Sequence, residues 1–183
     1  MRSIPTINTS RLTLRAFLPQ DFEDYAALWA MPEVVRFVGG TPWDRSQSWS
    51  SFLRNSGHWQ MTGFGMWAVE IHGQRKPMGQ VGFFYGGRNL GEDFDQYPEA
   101  GWILHPDIQG LGYAREAVQA AHDWFDRVIT GPMVCKLVPE NTKSRSVADA
   151  MGYRELRLTK FQDEDSQLMF RKSPPRSSRN LLE

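Results

Sequence analysis

Apolar positions along the chain switch between two periods, and the switches divide it into elements. Residues 11 to 17, RLTLRAF, alternate polar and apolar with Leu12 and Leu14 on one face, the period of a half-buried strand. Beyond Pro19, the positions Phe22, Tyr25, Ala26 and Trp29 follow the i, i+3, i+4, i+7 spacing of an amphipathic helix, which Pro32 closes. Thr41-Pro42-Trp43-Asp44 reads as the start of a second helix, with Thr41 as N-cap and Pro42 at its first position. Trp49, Phe52 and Leu53 mark its buried face up to Asn55, and Gly57 breaks it. Residues 65 to 71, GMWAVEI, and 78 to 85, MGQVGFFY, joined by the turn-forming HGQRKP, predict a hairpin. Residues 86 to 98, GGRNLGEDFDQYP, have no period and predict a long exposed loop, a kind of segment more often functional than idle.

The second half predicts a strand over Ala100 to Leu104 and a helix from near Gly112. The helix carries a small-residue stripe of Ala114, Ala117, Val118, Ala121 and Phe125 suited to close packing on a sheet. Residues 133 to 138, MVCKLV, predict a strand, and Asn141 to Met151 a short helix closed by Gly152 as C-cap. Tyr153 to Leu158 and Gln167 to Arg171 predict two last strands. Together these make a single mixed α/β domain over residues 1–172 around one sheet. The tail 173–183, SPPRSSRNLLE, has little to bury and is expected to be disordered.

Composition narrows the function classes. Lys+Arg and Asp+Glu are both 21, so no global charge favours nucleic acid or an anionic membrane surface, and any anion site must be local. No apolar run approaches the ~20 residues of a membrane span, and MRSIPTINTSR lacks the apolar stretch of a signal peptide, so a cytoplasmic protein is expected. The single cysteine, Cys135, excludes an intramolecular disulfide framework and reads as a small buried strand residue. His58, His72 and His122 have no metal-ligand spacing, and no metal is expected.

Chemistry is most legible in residues 99 to 115, EAGWILHPDIQGLGYAR. Gly110 and Gly112 allow a tight turn that brings main-chain N–H groups close to a bound group. At a helix start those unpaired donors and the positive end of the macrodipole favour an anion such as a diphosphate. Glycines at a strand-to-helix junction also occur without any ligand. A dinucleotide-binding Rossmann turn would need a third glycine where Arg115 stands and a shorter connection than the one Pro106 lengthens.

Over roughly residues 9 to 171 the chain resembles the GCN5-related N-acetyltransferase (GNAT) superfamily, in its ribosomal-protein alanine acetyltransferase-like (RimJ/RimL-type) branch. The superfamily signature stands here as Gln109-Gly110-Leu111-Gly112-Tyr113-Ala114, preceded by Leu104-His105-Pro106. SRLTLR, EAGWIL and NTKSRSVADAMGY also resemble that branch, in its order. The resemblance implies a mixed, mostly antiparallel sheet of about six to seven strands with flanking helices, in which the fourth and fifth strands splay at a bulge. It implies acetyl-CoA as cosubstrate, with no metal, and a primary amine as acceptor, on a small molecule or a protein N-terminus. It gives a monomer or homodimer.

Carried over residue by residue, the diphosphate rests on Gly110 to Arg115. Arg115 either adds a side-chain charge or is a solvated helix-face cation. Ile103 and Leu104 offer main-chain groups to the pantetheine arm. Asn141 contacts that arm or is a plain N-cap, and Ser144 solvates or protonates the departing thiolate or is a helix-surface serine. Glu99 is the candidate base or an ordinary strand-end carboxylate, and a main-chain N–H near Leu104 meets the oxyanion. A lysine-like ammonium costs about 4.6 kcal/mol to deprotonate at pH 7 and an α-amine only ~1.4, so a base matters less for the latter. Many relatives use a Tyr where this chain has Ala148, which leaves the general acid open. His105 is either a catalytic base or, as its family position suggests, a loop residue, and Glu92, Asp93 and Asp95 either attract a cationic amine or form a solvated loop. A non-catalytic acyl-CoA-binding protein of the same fold is the alternative reading.

Overall fold

The computed structural model describes residues 3–173. The chain enters on two short strands, β1 (Ile7–Asn8) and β2 (Leu12–Arg15), followed by α1 (Phe22–Trp29), α2 (Pro32–Val35) and α3 (Arg45–Thr62). A hairpin of β3 (Met66–Ile71) and β4 (Pro77–Phe84), a short α4 (Glu92–Asp95) and β5 (Glu99–Leu104) come next. Then follow α5 (Tyr113–Val128), β6 (Met133–Leu137), α6 (Thr142–Ala150), β7 (Arg154–Phe161) and β8 (Glu164–Arg171). All eight strands form one open sheet in the order β1-β2-β3-β4-β5-β6-β8-β7, antiparallel throughout except for β5 beside β6. The strand beyond the expected six to seven is β1, whose two residues are too few to show a period. The expected tail falls on residues of which 174–183 lie outside the described ones.

One face of the sheet is covered by α5 and α6, over a core that includes Leu12, Leu14, Trp67, Phe83, Ala117, Val118 and Phe125. The other face is covered by α1 and α3, through Phe22, Tyr25, Trp29 and Phe52, with Ile103 of β5 packed beneath them. No helix among the described residues is long and apolar enough to cross a membrane.

Three local expectations are corrected. Pro32 does not close the helical region but opens α2 as its first residue. The N-cap of α3 is Asp44 rather than Thr41. Its carboxylate accepts from the Gln47 N–H at 2.7 Å, and the Gln47 carbonyl accepts from the Asp44 N–H at 2.9 Å, a reciprocal box that satisfies two donors where Thr41 would satisfy one. The helix then runs through Gly57 to a left-handed Gly63.

Of its three expected inward residues only Phe52 is buried: Trp49 and Leu53 are 46% and 51% exposed, while Ser48, Ser51 and Asn55 are buried. Ser51 and Asn55 are held by polar partners, whereas the Ser48 hydroxyl has none among the described residues. Tyr25 Oη donates to Ser51 Oγ at 3.0 Å, and Asn55 Nδ2 donates to Gln80 Oε1 of β4 at 3.1 Å. Nor is segment 86–98 a loose exposed loop. The Asp95 carboxylate accepts main-chain N–H groups from Arg88, Leu90 and Gly91, and Phe94 is buried against Val134 and Leu168. Arg157 holds Asp93 at 2.9 Å, so two of the three loop acids are structural.

Candidate active site

Parallel β5 and β6 meet at a single point, Glu99 opposite Val134, where the Val134 N–H donates to Pro98 O at 2.9 Å. Beyond it no pairing joins the two strands, and they form a fork. The resemblance placed a bulge at this splay, yet the register of β5 with β4 is unbroken from Gly79 to Phe84.

Which β5 groups face the fork follows from the alternation of an antiparallel ladder, in which successive residues turn their N–H and C=O to opposite sides. The His105 N–H donates to Met78 O at 2.8 Å, which fixes the phase. Ile103 and Gly101 therefore turn toward β4, while Trp102 and Leu104 turn toward the fork. Ile103 was a candidate for main-chain contact, and its peptide groups are directed away from that role. Its side chain instead packs under α1 and α3. Trp102, missed from the sequence, takes its place; counting by twos from a known pair would have found it. The Leu104 C=O accepts from Gln109 Nε2 at 3.3 Å, so Gln109 staples the turn to the strand end and leaves the Leu104 N–H toward the fork.

The signature turn follows. Gly110 and Gly112 sit at φ +77° and +82°, left-handed values that favour glycine, and Gly112 is the N-cap of α5. A Cβ on Gly110 would meet nothing within 4 Å, so the space above it is open to a ligand. The open space, the unpaired helix-start donors and the free strand edge fit a pantetheine-diphosphate.

A clamp absent from the sequence reading sets this turn. Arg11 donates from Nη1 to Leu111 O at 3.0 Å, pairs with Glu116 through Nε at 2.7 Å, and lies 4.2 Å over the Tyr113 ring. Glu116 also accepts from Thr9 Oγ1 at 2.6 Å and Ser10 Oγ at 3.0 Å. Burial pushes the Glu116 carboxyl up, but the hydrogen bonds from Thr9, Arg11 and Ser10 prevail and hold it at about 2. Arg11 belongs to SRLTLR, a motif that carried the resemblance without a role. Leu111 and Arg115 are exposed, Ala114 is half-buried, and Arg115 makes no hydrogen bond or ion pair to a described residue.

On the far side of the fork, Asn141 caps α6 by accepting from the Ser144 N–H at 3.1 Å. The Ser144 hydroxyl makes no hydrogen bond to a described residue, and Ala148 is fully buried with no hydroxyl to offer. His105 caps a 3₁₀ turn, its Nδ1 accepting from the Asp107 N–H at 3.2 Å. His122 is a core residue between Val118 O at 2.7 Å and Tyr153 Oη at 3.0 Å; burial pushes its imidazole down to about 4. Among the described residues no cluster of three or more His, Cys, Asp or Glu could hold a metal ion.

Glu99 is 4% exposed, on the face shared with Ile103. Arg88 holds both its oxygens, Nε to Oε2 at 2.7 Å and Nη2 to Oε1 at 3.0 Å. Both oxygens that a base would use are thus engaged by the guanidinium. Arg88 comes from the segment without periodicity, which left no signal for it.

This geometry matches proteins of known class. The acetyltransferase (GNAT) domain family matches residues 11–154. An acetyltransferase from Agrobacterium tumefaciens str. C58 is 31% identical, with 93% of this chain and 95% of that one covered at a TM-score of 0.79. A putative GnaT-family acetyltransferase from Bordetella pertussis is 25% identical over 92% and 99%, at 0.82. The fold is also that of RimL, described as a ribosomal L7/L12 α-N-protein acetyltransferase in complex with coenzyme A, at 17% identity over 92% and 98% and a TM-score of 0.73. With a forked β5/β6 pair, a left-handed glycine turn opening α5 and a family match over most of its length, the chain belongs to the GNAT acetyltransferases.

Proposed function

We propose that this acetyltransferase moves an acetyl group from acetyl-CoA to a primary amine by direct attack in a ternary complex. The observation that carries the reading is the free edge of β5 leading into the glycine turn, a strand for the pantetheine arm followed by an anion cradle for the diphosphate. The Trp102 main-chain groups pair with the arm, Gly110 to Arg115 hold the diphosphate, and Asn141 lies along the opposite wall. The neutral amine nitrogen attacks the thioester carbonyl carbon and forms the C–N bond, the C–S bond breaks with its electron pair going to sulfur, the thiolate leaves beside Ser144, and the proton shed by the nitrogen passes to that thiolate or to solvent. The Leu104 N–H is the preorganised donor for the oxyanion, the sort of group that supplies ~3 kcal/mol elsewhere.

The paired state of Glu99 bears on the acceptor. An amine of pKa ~8 loses its proton at pH 7 for only ~1.4 kcal/mol and needs little help, whereas a lysine-like amine needs a base that Arg88 has already engaged. This favours an α-amine, on a small molecule or a protein N-terminus. The coenzyme A bound by RimL supports the same donor, and the RimJ/RimL-type branch.

Acetyl-CoA should raise the melting temperature, and a panel of α-amines should release CoA, read with a thiol reagent. A protein stabilised by acetyl-CoA from which no amine releases CoA would sink the transfer reading.

A further inference from the structure

The sheet face that holds Glu99 carries a cation that nothing in the transfer reaction uses. Val134 of β6 stands opposite Glu99, and Lys136, two residues further on where β6 no longer pairs with β5, lies on the same face. Lys136 is half-buried, its Nζ 5.0 Å from the centre of the Phe161 ring. The Arg88 guanidinium lies 5.2 Å from the same ring. Two cations thus lie by one aromatic ring, and the Glu99 carboxylate is spent on Arg88.

Lys136 has no ion pair and no hydrogen bond to a described residue. Burial and then the Arg88 charge push its ammonium below the ordinary lysine range; Glu99 and Glu164 oppose this electrostatically, but neither reaches it as an ion pair. A half-buried ammonium without a counter-ion is costly, and its natural complement is an anion.

Of the acids around this face, Asp93 is paired with Arg157 and Asp95 binds main-chain N–H groups, while Glu164 acts on Lys136 through space without an ion pair. A polyamine would find few free carboxylates, whereas a carboxylate would find a waiting lysine.

We infer that Lys136, backed by Arg88 and Phe161, anchors a carboxylate carried by the amine acceptor, so that the acceptor is an α-amino acid or a close analogue. The inference rests on the acetyl-transfer reading and deepens it.

The test compares each of several α-amino acids with its own α-amide and its decarboxylated amine, by CoA release at saturating acetyl-CoA, in the wild type, Lys136→Met and Lys136→Arg. The acid should exceed its amide in kcat/KM by tenfold or more. Lys136→Met should bring that ratio close to one, mainly by raising KM for the acid, and Lys136→Arg should keep most of it. Melting temperatures of the variants show that they fold. An amide or plain amine used as well as the acid, or a ratio unchanged in Lys136→Met, would overturn the inference and leave the transferase standing. A panel blank for every amine would overturn both.

Discussion

Glu116→Gln tests whether the first turn of α5 is built for the donor or only for the fold. The substitution keeps the side-chain volume and removes the charge. One Glu116 oxygen accepts from Thr9 Oγ1 at 2.6 Å, Ser10 Oγ at 3.0 Å and the Arg11 N–H at 3.1 Å; the other accepts from Arg11 Nε at 2.7 Å. An amide nitrogen in either place sets donor against donor, since one side holds the guanidinium and the other the Arg11 N–H. A carboxyl held at about 2 instead of 4.5 puts the ceiling near ~3 kcal/mol. Arg11 is 42% exposed, and screening by water brings the expected cost to about 1–2 kcal/mol.

For a chain of this size that is a fall of about 3–6 °C in Tm. Because the folded carboxyl is depressed, its contribution is whole above about 4.5 and is lost as pH falls toward about 2, so an assay at neutral pH reads the intact clamp. Freed from Glu116, Arg11 no longer fixes Leu111 O, and KM for acetyl-CoA should rise about tenfold (~1.4 kcal/mol) with a smaller change in kcat. Thiol release suits the assay, because the chain's single cysteine, Cys135, is buried. A fall in Tm with an unchanged KM would refute the argument and make the clamp a brace for α5 alone.

Gly110→Ala places a Cβ in open space, so beyond the ~1 kcal/mol of a left-handed conformation its effect reports the ligand; calorimetry should show acetyl-CoA binding at least tenfold weaker, and unchanged affinity would remove the diphosphate from this turn. Ser144→Ala should lower kcat by about threefold to tenfold with little change in KM, since a thiolate of pKa ~8.5 leaves tolerably unaided; no change at all would take Ser144 out of the reaction. Glu99→Gln strands the Arg88 guanidinium and should cost ~3 kcal/mol of stability. If it also leaves the pH profile of kcat/KM below the amine's pKa untouched, the pair is structural. His122 is held neutral down to about 4, so stability is full above pH 6.5 and falls between 6.5 and 4 as the unfolded chain takes up the proton; denaturant titrations at pH 7 and pH 5 should differ by up to ~2 kcal/mol, a difference that His122→Gln should abolish.

What the sequence showed, and what it hid, divides by the range of the interaction. The hairpin, α5 with its alanine stripe and Asn141 as N-cap are all written in residues a few positions apart, and all were legible; the C-cap of α6 is Met151 rather than Gly152, which follows it in a left-handed conformation. The hexapeptide turn was legible for the same reason: it is a local backbone conformation that needs glycine. The clamp joins residues 105 apart in sequence, and Arg88 meets Glu99 only because Asp95 folds the intervening segment. Neither leaves a periodic trace. The face of α3 was legible only at Phe52, because period alone also assigns Trp49 and Leu53 to the core, while the buried Ser51 and Asn55 are satisfied by Tyr25 and Gln80, partners from other elements.

The same division separates the two halves of the site. The donor half is held by main chain: the fork, the phase of β5 and the left-handed turn depend on backbone geometry, which many sequences of one fold can reproduce. In the proposed reading the acceptor half draws on side chains from three segments, with the Arg88–Glu99 pair and Lys136 on one face of the sheet. Substrate preference must therefore lie in those side chains, and a charge substitution there, unlike one on the turn, should redirect the enzyme without weakening its hold on acetyl-CoA. Arg88→Gln sharpens the point. It frees the Glu99 carboxylate and removes one of the two cations beside Phe161, so it should move preference away from acids and toward cationic amines while leaving KM for acetyl-CoA within about twofold. An equal loss on acids and cationic amines would mean that Arg88 only holds the segment in place.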